Sequence, residues 1–179
     1  MKDISYRVAL GGIVSALCLV TMFLAGIMPA FYIVLPMTAG IFLMIIAEEV
    51  STKWALLTYI STSILSLFIT ADKEAALLFV LIFGHYPIIR YFLQRIKLSP
   101  LRFLIKLIVF NIGFAVFFYT TVYLFGIEQM LESIEGIGKY GWIFALVICN
   151  FIFIMYDYLL DRICIIYRSR MRPKFIKKK

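Results

Sequence analysis

A single histidine, His85, stands within a long apolar stretch, in the run Gly84-His-Tyr-Pro-Ile-Ile-Arg90. It lies about ten residues in from the start of that stretch, which at 1.5 Å per residue is near the middle of a ~30 Å hydrocarbon core. An ionisable group at that depth faces a bundle interior or a cavity. His85 therefore reads either as a neutral imidazole bonded to a neighbouring helix or as a residue that handles a ligand or a proton. Pro87 lacks a backbone donor, which frees a carbonyl near Phe83 and can kink the helix. Asn111 and Asn150 are the other strongly polar residues at depth, where amides commonly fasten helices together. Asn150 should share the level of His85, the two facing each other or a common cavity between the fourth, fifth and sixth spans. His85, Asn150 and Asn111 are the candidate substrate-binding residues.

Two further groups of residues have an expected part. In Ala9-Leu-Gly-Gly-Ile-Val-Ser-Ala16, Gly11 with Ser15 and Gly12 with Ala16 place small residues four apart. Such a strip admits a second helix at close range, either within the same bundle or from a partner subunit. Nearer the cytoplasmic side, Arg90 and Asp157 are expected to form a structural ion pair, with Lys106–Asp157 as the alternative.

Several chemistries are excluded. There is no Gly-x-x-x-x-Gly-Lys-Ser/Thr phosphate loop, no His-Glu-x-x-His zinc site and no Gly-x-Ser-x-Gly elbow. Cys18, Cys149 and Cys164 form no Cys-x-x-Cys pair and imply no disulfide framework. The expectation is a protein that is not an enzyme, with no catalytic residue, metal or cofactor. Any energised step then needs a partner or an ion gradient.

The elements that must hold these residues follow from composition. The chain has 179 residues, 64% apolar and 16% charged, with net charge +8 and a mean hydropathy of +1.00. Soluble domains are nearer half apolar. Long apolar runs without two-residue alternation fit membrane helices, not a barrel. The expected fold is an all-α integral membrane protein, a bundle of six transmembrane helices forming one domain. The spans cover about 8–28, 31–47, 54–70, 75–93, 103–125 and 140–163, with Ser99-Pro100 breaking the chain before the fifth. Pro29 and Pro36 leave open a re-entrant or kinked segment between the first two spans. The first run is too long for a signal peptide's apolar region and leads into another, so it reads as an uncleaved anchor.

Orientation comes from Lys and Arg. With the N-terminus inside, every one of them except Lys73 and Lys139 falls on the cytoplasmic side. Both termini are then cytoplasmic in a multi-pass protein of the cell membrane. The basic tail from Arg168 to Lys179 reads as an anchor on anionic lipid, and no nucleic-acid partner is implied. Outside lie aromatic belts (Phe31, Tyr32, Tyr119, Tyr123, Tyr140, Trp142) and the loop from Gly126 to Lys139. That loop carries Glu128, Glu132 and Glu135, and Ile127, Met130, Leu131 and Ile134 at the spacing of a short surface helix.

In topology and in the small residues of its first span, Gly11, Gly12, Ser15 and Ala16, the chain resembles the substrate-binding S components of energy-coupling factor (ECF) transporters. The alanine-x-x-x-alanine form of that motif is absent, and the link between spans one and two is short for a substrate lid. The resemblance implies a subunit that binds a vitamin or other micronutrient from outside. It also implies a transmembrane coupling subunit and separate ATPases as partners, docked through the first helix. A reading from another class is a non-catalytic membrane scaffold in a cell-envelope complex.

Overall fold

The computed structural model describes residues 4–126 and 140–171. Among them are six helices and no strand. Helix α1 is Ile4–Ile27, α2 Val34–Glu49 and α3 Thr52–Ile69. Helix α4 is Lys73–Leu93, interrupted by a wide π-helical turn at Phe79–Phe83. Helix α5 is Ser99–Tyr119, continued by a second wide turn at Thr120–Leu124. Helix α6 is Gly141–Ile166, continued by Tyr167–Met171. The acidic loop with its expected short helix, and the tail beyond Met171, lie outside the described residues.

Five of the six helices, all but α2, are long and apolar enough to cross a membrane. Helix α2 has 16 residues, or ~24 Å at 1.5 Å per residue, short of a ~30 Å core. The span expected at 31–47 starts late because Pro29–Phe31 is taken up by a 3-10 turn. Pro36 sits in the first turn of α2, where its missing N–H has no intrahelical partner to lose. The other boundaries follow local chemistry. The Ser51 side chain caps α3 by accepting from the Trp54 N–H, and Asp72 caps α4 by accepting from Glu74 and Ala75. Ser99-Pro100 opens α5, where it was expected to break the chain ahead of a start near Phe103. Proline is at home in a first turn. Gly126, at φ +65°, follows the end of α5.

The chain divides into two compact units, Met1–Ser133 with α1–α5 and Ile134–Lys179 with α6. Within the first unit, cross-helix contacts set the directions. A Cβ on Gly11 of α1 would meet Thr58 of α3 at 3.6 Å, near both N-termini. Gly26, near the end of α1, abuts Ala71 and Asp72 just before α4. Tyr91, near the end of α4, donates to Glu48, near the end of α2. So α1 and α3 run one way and α2 and α4 the other.

The core joins Val14, Cys18, Met22 and Ala25 of α1 to Ala39, Leu43 and Ile46 of α2, Ala55 of α3, and Ala75, Phe79 and Ile88 of α4. The Cys18 thiol donates to the Ala39 carbonyl at 3.3 Å. On α3 the inward residues are Ala55, Thr58, Thr62, Ser63 and Ser66, small side chains that allow close helix approach. Large apolar residues face outward, among them Ile13, Leu17, Val20 and Phe23 of α1 and Leu57, Ile64 and Phe68 of α3. Small residues within and large ones without suit a surround of hydrocarbon.

Candidate functional site

The wide turn of α4 organises the middle of the first unit. Its hydrogen bonds skip a residue: the Gly84 N–H reaches Phe79 O, five residues back, at 2.7 Å. The turn bulges toward two neighbours. On α3, the Tyr59 hydroxyl donates to the Val80 carbonyl at 2.5 Å. On α5, a Cβ on Gly113 would lie 2.9 Å from the Leu81 carbonyl, so α5 can approach there only as glycine. Glycine at 84 is required in the same way, because a Cβ there would lie 2.7 Å from Phe79 O and 2.8 Å from the Tyr59 ring.

His85 follows this turn directly. The His85 ring meets Tyr59 edge-on at 6.1 Å between centroids, and Tyr59 tilts against Phe79 at 6.2 Å. Ser63, one turn along α3, is buried, and its hydroxyl makes no hydrogen bond among the described residues. His85 thus packs against Tyr59, the side chain whose hydroxyl holds the wide turn.

A second polar group collects where α2 and α4 end. Arg90 is 2% exposed and is the largest fully buried side chain among the described residues. Glu49 of α2 is 5% exposed and Lys106 of α5 is 6%. The hydrogen bond between Tyr91 and Glu48 brings the carboxylate pair at the end of α2 to the level of Arg90. Asp157, the expected partner of Arg90, lies half-buried on α6 in the second unit.

The two asparagines bond within their own helices. Asn111 Nδ2 donates to Leu107 O and Asn150 Nδ2 to Leu146 O, each at 2.8 Å. His85 lies in the first unit and Asn150 in the second. The small-residue strip of α1 divides. Gly11 and Ser15 are half-buried, with Gly11 against Thr58, whereas Gly12 and Ala16 are exposed, and a Cβ on Gly12 would meet nothing within 4 Å.

Tyr59 and Ser63 were not singled out from sequence; the signal that points to this face is Thr58, Thr62 and Ser66, polar residues four apart on α3. Comparison with known proteins returns no match: no family model fits, and no curated protein or solved structure is significantly similar. The functional argument rests on this chain's own residues.

Proposed function

We propose that this chain is the small-molecule-binding membrane subunit of a transporter whose energy comes from separate ATPase subunits, acting through a transmembrane coupling partner. The observation that carries this reading is the division of the α1 strip. Gly11 and Ser15 serve packing inside the unit, while Gly12 and Ala16 present small residues to the outside, where another helix backbone can come close. The ligand end of the reading is the cluster of Tyr59, His85 and the wide turn, since π-turns in helices recur at functional sites.

Two variants test it against the scaffold alternative. Gly12→Leu should leave the melting midpoint of the isolated protein unchanged and abolish capture of the coupling subunit. Gly11→Leu should lower the midpoint, because its side chain enters the contact with Thr58. Unchanged capture in Gly12→Leu would remove the docking face. Capture without any ligand binding in a thermal-shift screen against vitamins would favour the scaffold.

The reading also carries a topology of six crossings with both termini cytoplasmic, supported by the distribution of Lys and Arg. In a background without Cys18, Cys149 and Cys164, Glu132→Cys should react with an impermeant thiol reagent from outside. Lys97→Cys and Phe175→Cys should not. External labelling at 175 would overturn the orientation or the number of crossings, and the short α2 would be the first segment to re-examine.

A further inference from the structure

Helix α4 ends at Leu93 and α5 begins at Ser99, so that only residues 94–98 join two membrane helices. A linker this short keeps its side chains at the helix ends, at the level of the lipid headgroups. Its backbone is folded tightly: the Arg95 N–H donates to Phe92 O at 3.2 Å and the Ile96 N–H to Leu93 O at 3.1 Å. The Arg95 guanidinium lies over the Phe92 ring, 5.7 Å from its centroid.

The charge of this region is one-sided. Between Glu74 and Glu128 the sequence has no Asp or Glu, yet Arg90, Arg95, Lys97, Arg102 and Lys106 all fall there. Arg90 and Lys106 are buried. Arg95 and Lys97 are exposed and Arg102 is half-buried, and none of these three makes an ion pair among the described residues. Cations this close together, with no carboxylate to meet them, draw an anion from outside the chain. We propose that Arg95, Lys97 and Arg102 form a docking surface for the headgroup of an anionic phospholipid.

The residues around these cations decide what carries the anion. Leu98, at the start of α5, is 64% exposed, and Phe92, Leu101, Phe103 and Leu104 are exposed beside it. Apolar side chains interleaved with Arg and Lys suit a surface that is hydrocarbon on one side and anionic on the other. An acidic segment of a partner protein would match the charge and leave these side chains unmatched. Guanidinium groups also take phosphate oxygens in pairs, which fixes a headgroup as well as attracting it. Leu98 offers no side-chain cap, so the first turn of α5 adds backbone donors at the same place. This surface is separate from the α1 strip and stands whether or not the chain transports.

Fluorescence quenching by brominated lipids tests this on the full chain in bilayers. Phe103→Trp is the local reporter, with Trp54→Phe and Trp142→Phe removing the native tryptophans. Brominated phosphatidylglycerol should compete for the reporter at least about fivefold better than brominated phosphatidylcholine, the effect of one basic residue at a membrane surface. Arg95→Gln, Lys97→Gln and Arg102→Gln together should erase that preference. Lys97→Gln alone, at an exposed position that folding does not use, should lower it part of the way. A second reporter, Tyr119→Trp at the other end of α5, should show no preference. Replacing Lys177, Lys178 and Lys179 of the tail by Gln should leave the preference at the first reporter intact. Equal quenching by the two lipids, a preference that survives the triple change, or one of the same size at position 119 would overturn the assignment. So would a preference lost with the tail lysines. Capture of a partner protein that fails in the triple variant, with no lipid preference in the parent, would give the surface to a protein and overturn it too.

Discussion

Arg90→Leu is expected to lower the stability of the isolated protein by about 3–5 kcal/mol, the cost of breaking a buried ion pair from one side. Arg90 is fully buried near the end of α4, at the level of Glu48 and Glu49, and Glu49 is itself 5% exposed. A guanidinium out of contact with water persists only with charged and hydrogen-bonded partners. With Glu49 as that partner, removing Arg90 would leave a buried carboxylate without compensation, which costs more than the pair contributes. Changing both sides should be far milder: Glu49→Leu with Arg90→Leu should recover most of the loss, since apolar replacement of a whole buried pair is often neutral or stabilising. Reversible unfolding in mixed micelles would measure the cycle. Coupling of at least roughly 1.5 kcal/mol between positions 49 and 90 is the expected result for groups in one network. A parallel cycle with Asp157→Asn tests the partner expected from sequence. Coupling to Asp157 with none to Glu49 would make Asp157 the partner, as the sequence led us to expect. An Arg90→Leu protein within about 0.5 kcal/mol of the parent would mean that its charge is not compensated by a buried group.

The contrast between these partners shows what could be read before the structure. Lengths of apolar run located the helices, because hydrocarbon thickness imposes itself on sequence as residue count. The start of α2 was placed early because Phe31, Tyr32 and Ile33 are apolar and continue the run, while the turn at Pro29–Phe31 depends on how the chain re-enters between α1 and α3. Glu48 and Glu49 read as the polar end of a span; that they meet α4 depends on α2 and α4 running the same way side by side. The repeat in α1 showed small residues four apart, but periodicity alone does not say that Gly11 faces Thr58 and Gly12 faces out. Gly84 and Pro87 signalled a disturbed helix. The signal did not extend to a wide turn beginning at Phe79, because that turn is held from outside by the Tyr59 hydroxyl and by the close approach of Gly113. What stayed hidden is tertiary in origin.

Gly84→Ala should destabilise the protein by about 1–3 kcal/mol, the range for forcing atoms into a packed site. The sign is the informative part. In an ordinary helix interior, glycine to alanine stabilises by up to about 1 kcal/mol. Here the new methyl carbon would lie 2.7 Å from Phe79 O and 2.8 Å from the Tyr59 ring. The carbonyl cannot easily retreat, because it accepts the Gly84 N–H itself at 2.7 Å. Relief requires the turn to tighten toward α-helical bonding or Tyr59 to withdraw. Either movement disturbs the Tyr59 hydrogen bond to Val80, and with it the ring against which His85 packs. The substitution should therefore reduce ligand binding along with stability, although position 84 contributes no side chain to a ligand. Gly12→Ala is the matched control, with open space around its Cβ, and should stay within about 0.5 kcal/mol of the parent. Thermal unfolding of the two variants side by side decides the matter. If Gly84→Ala melts at or above the parent, the wide turn is not held as described, and the cluster built on it loses its frame.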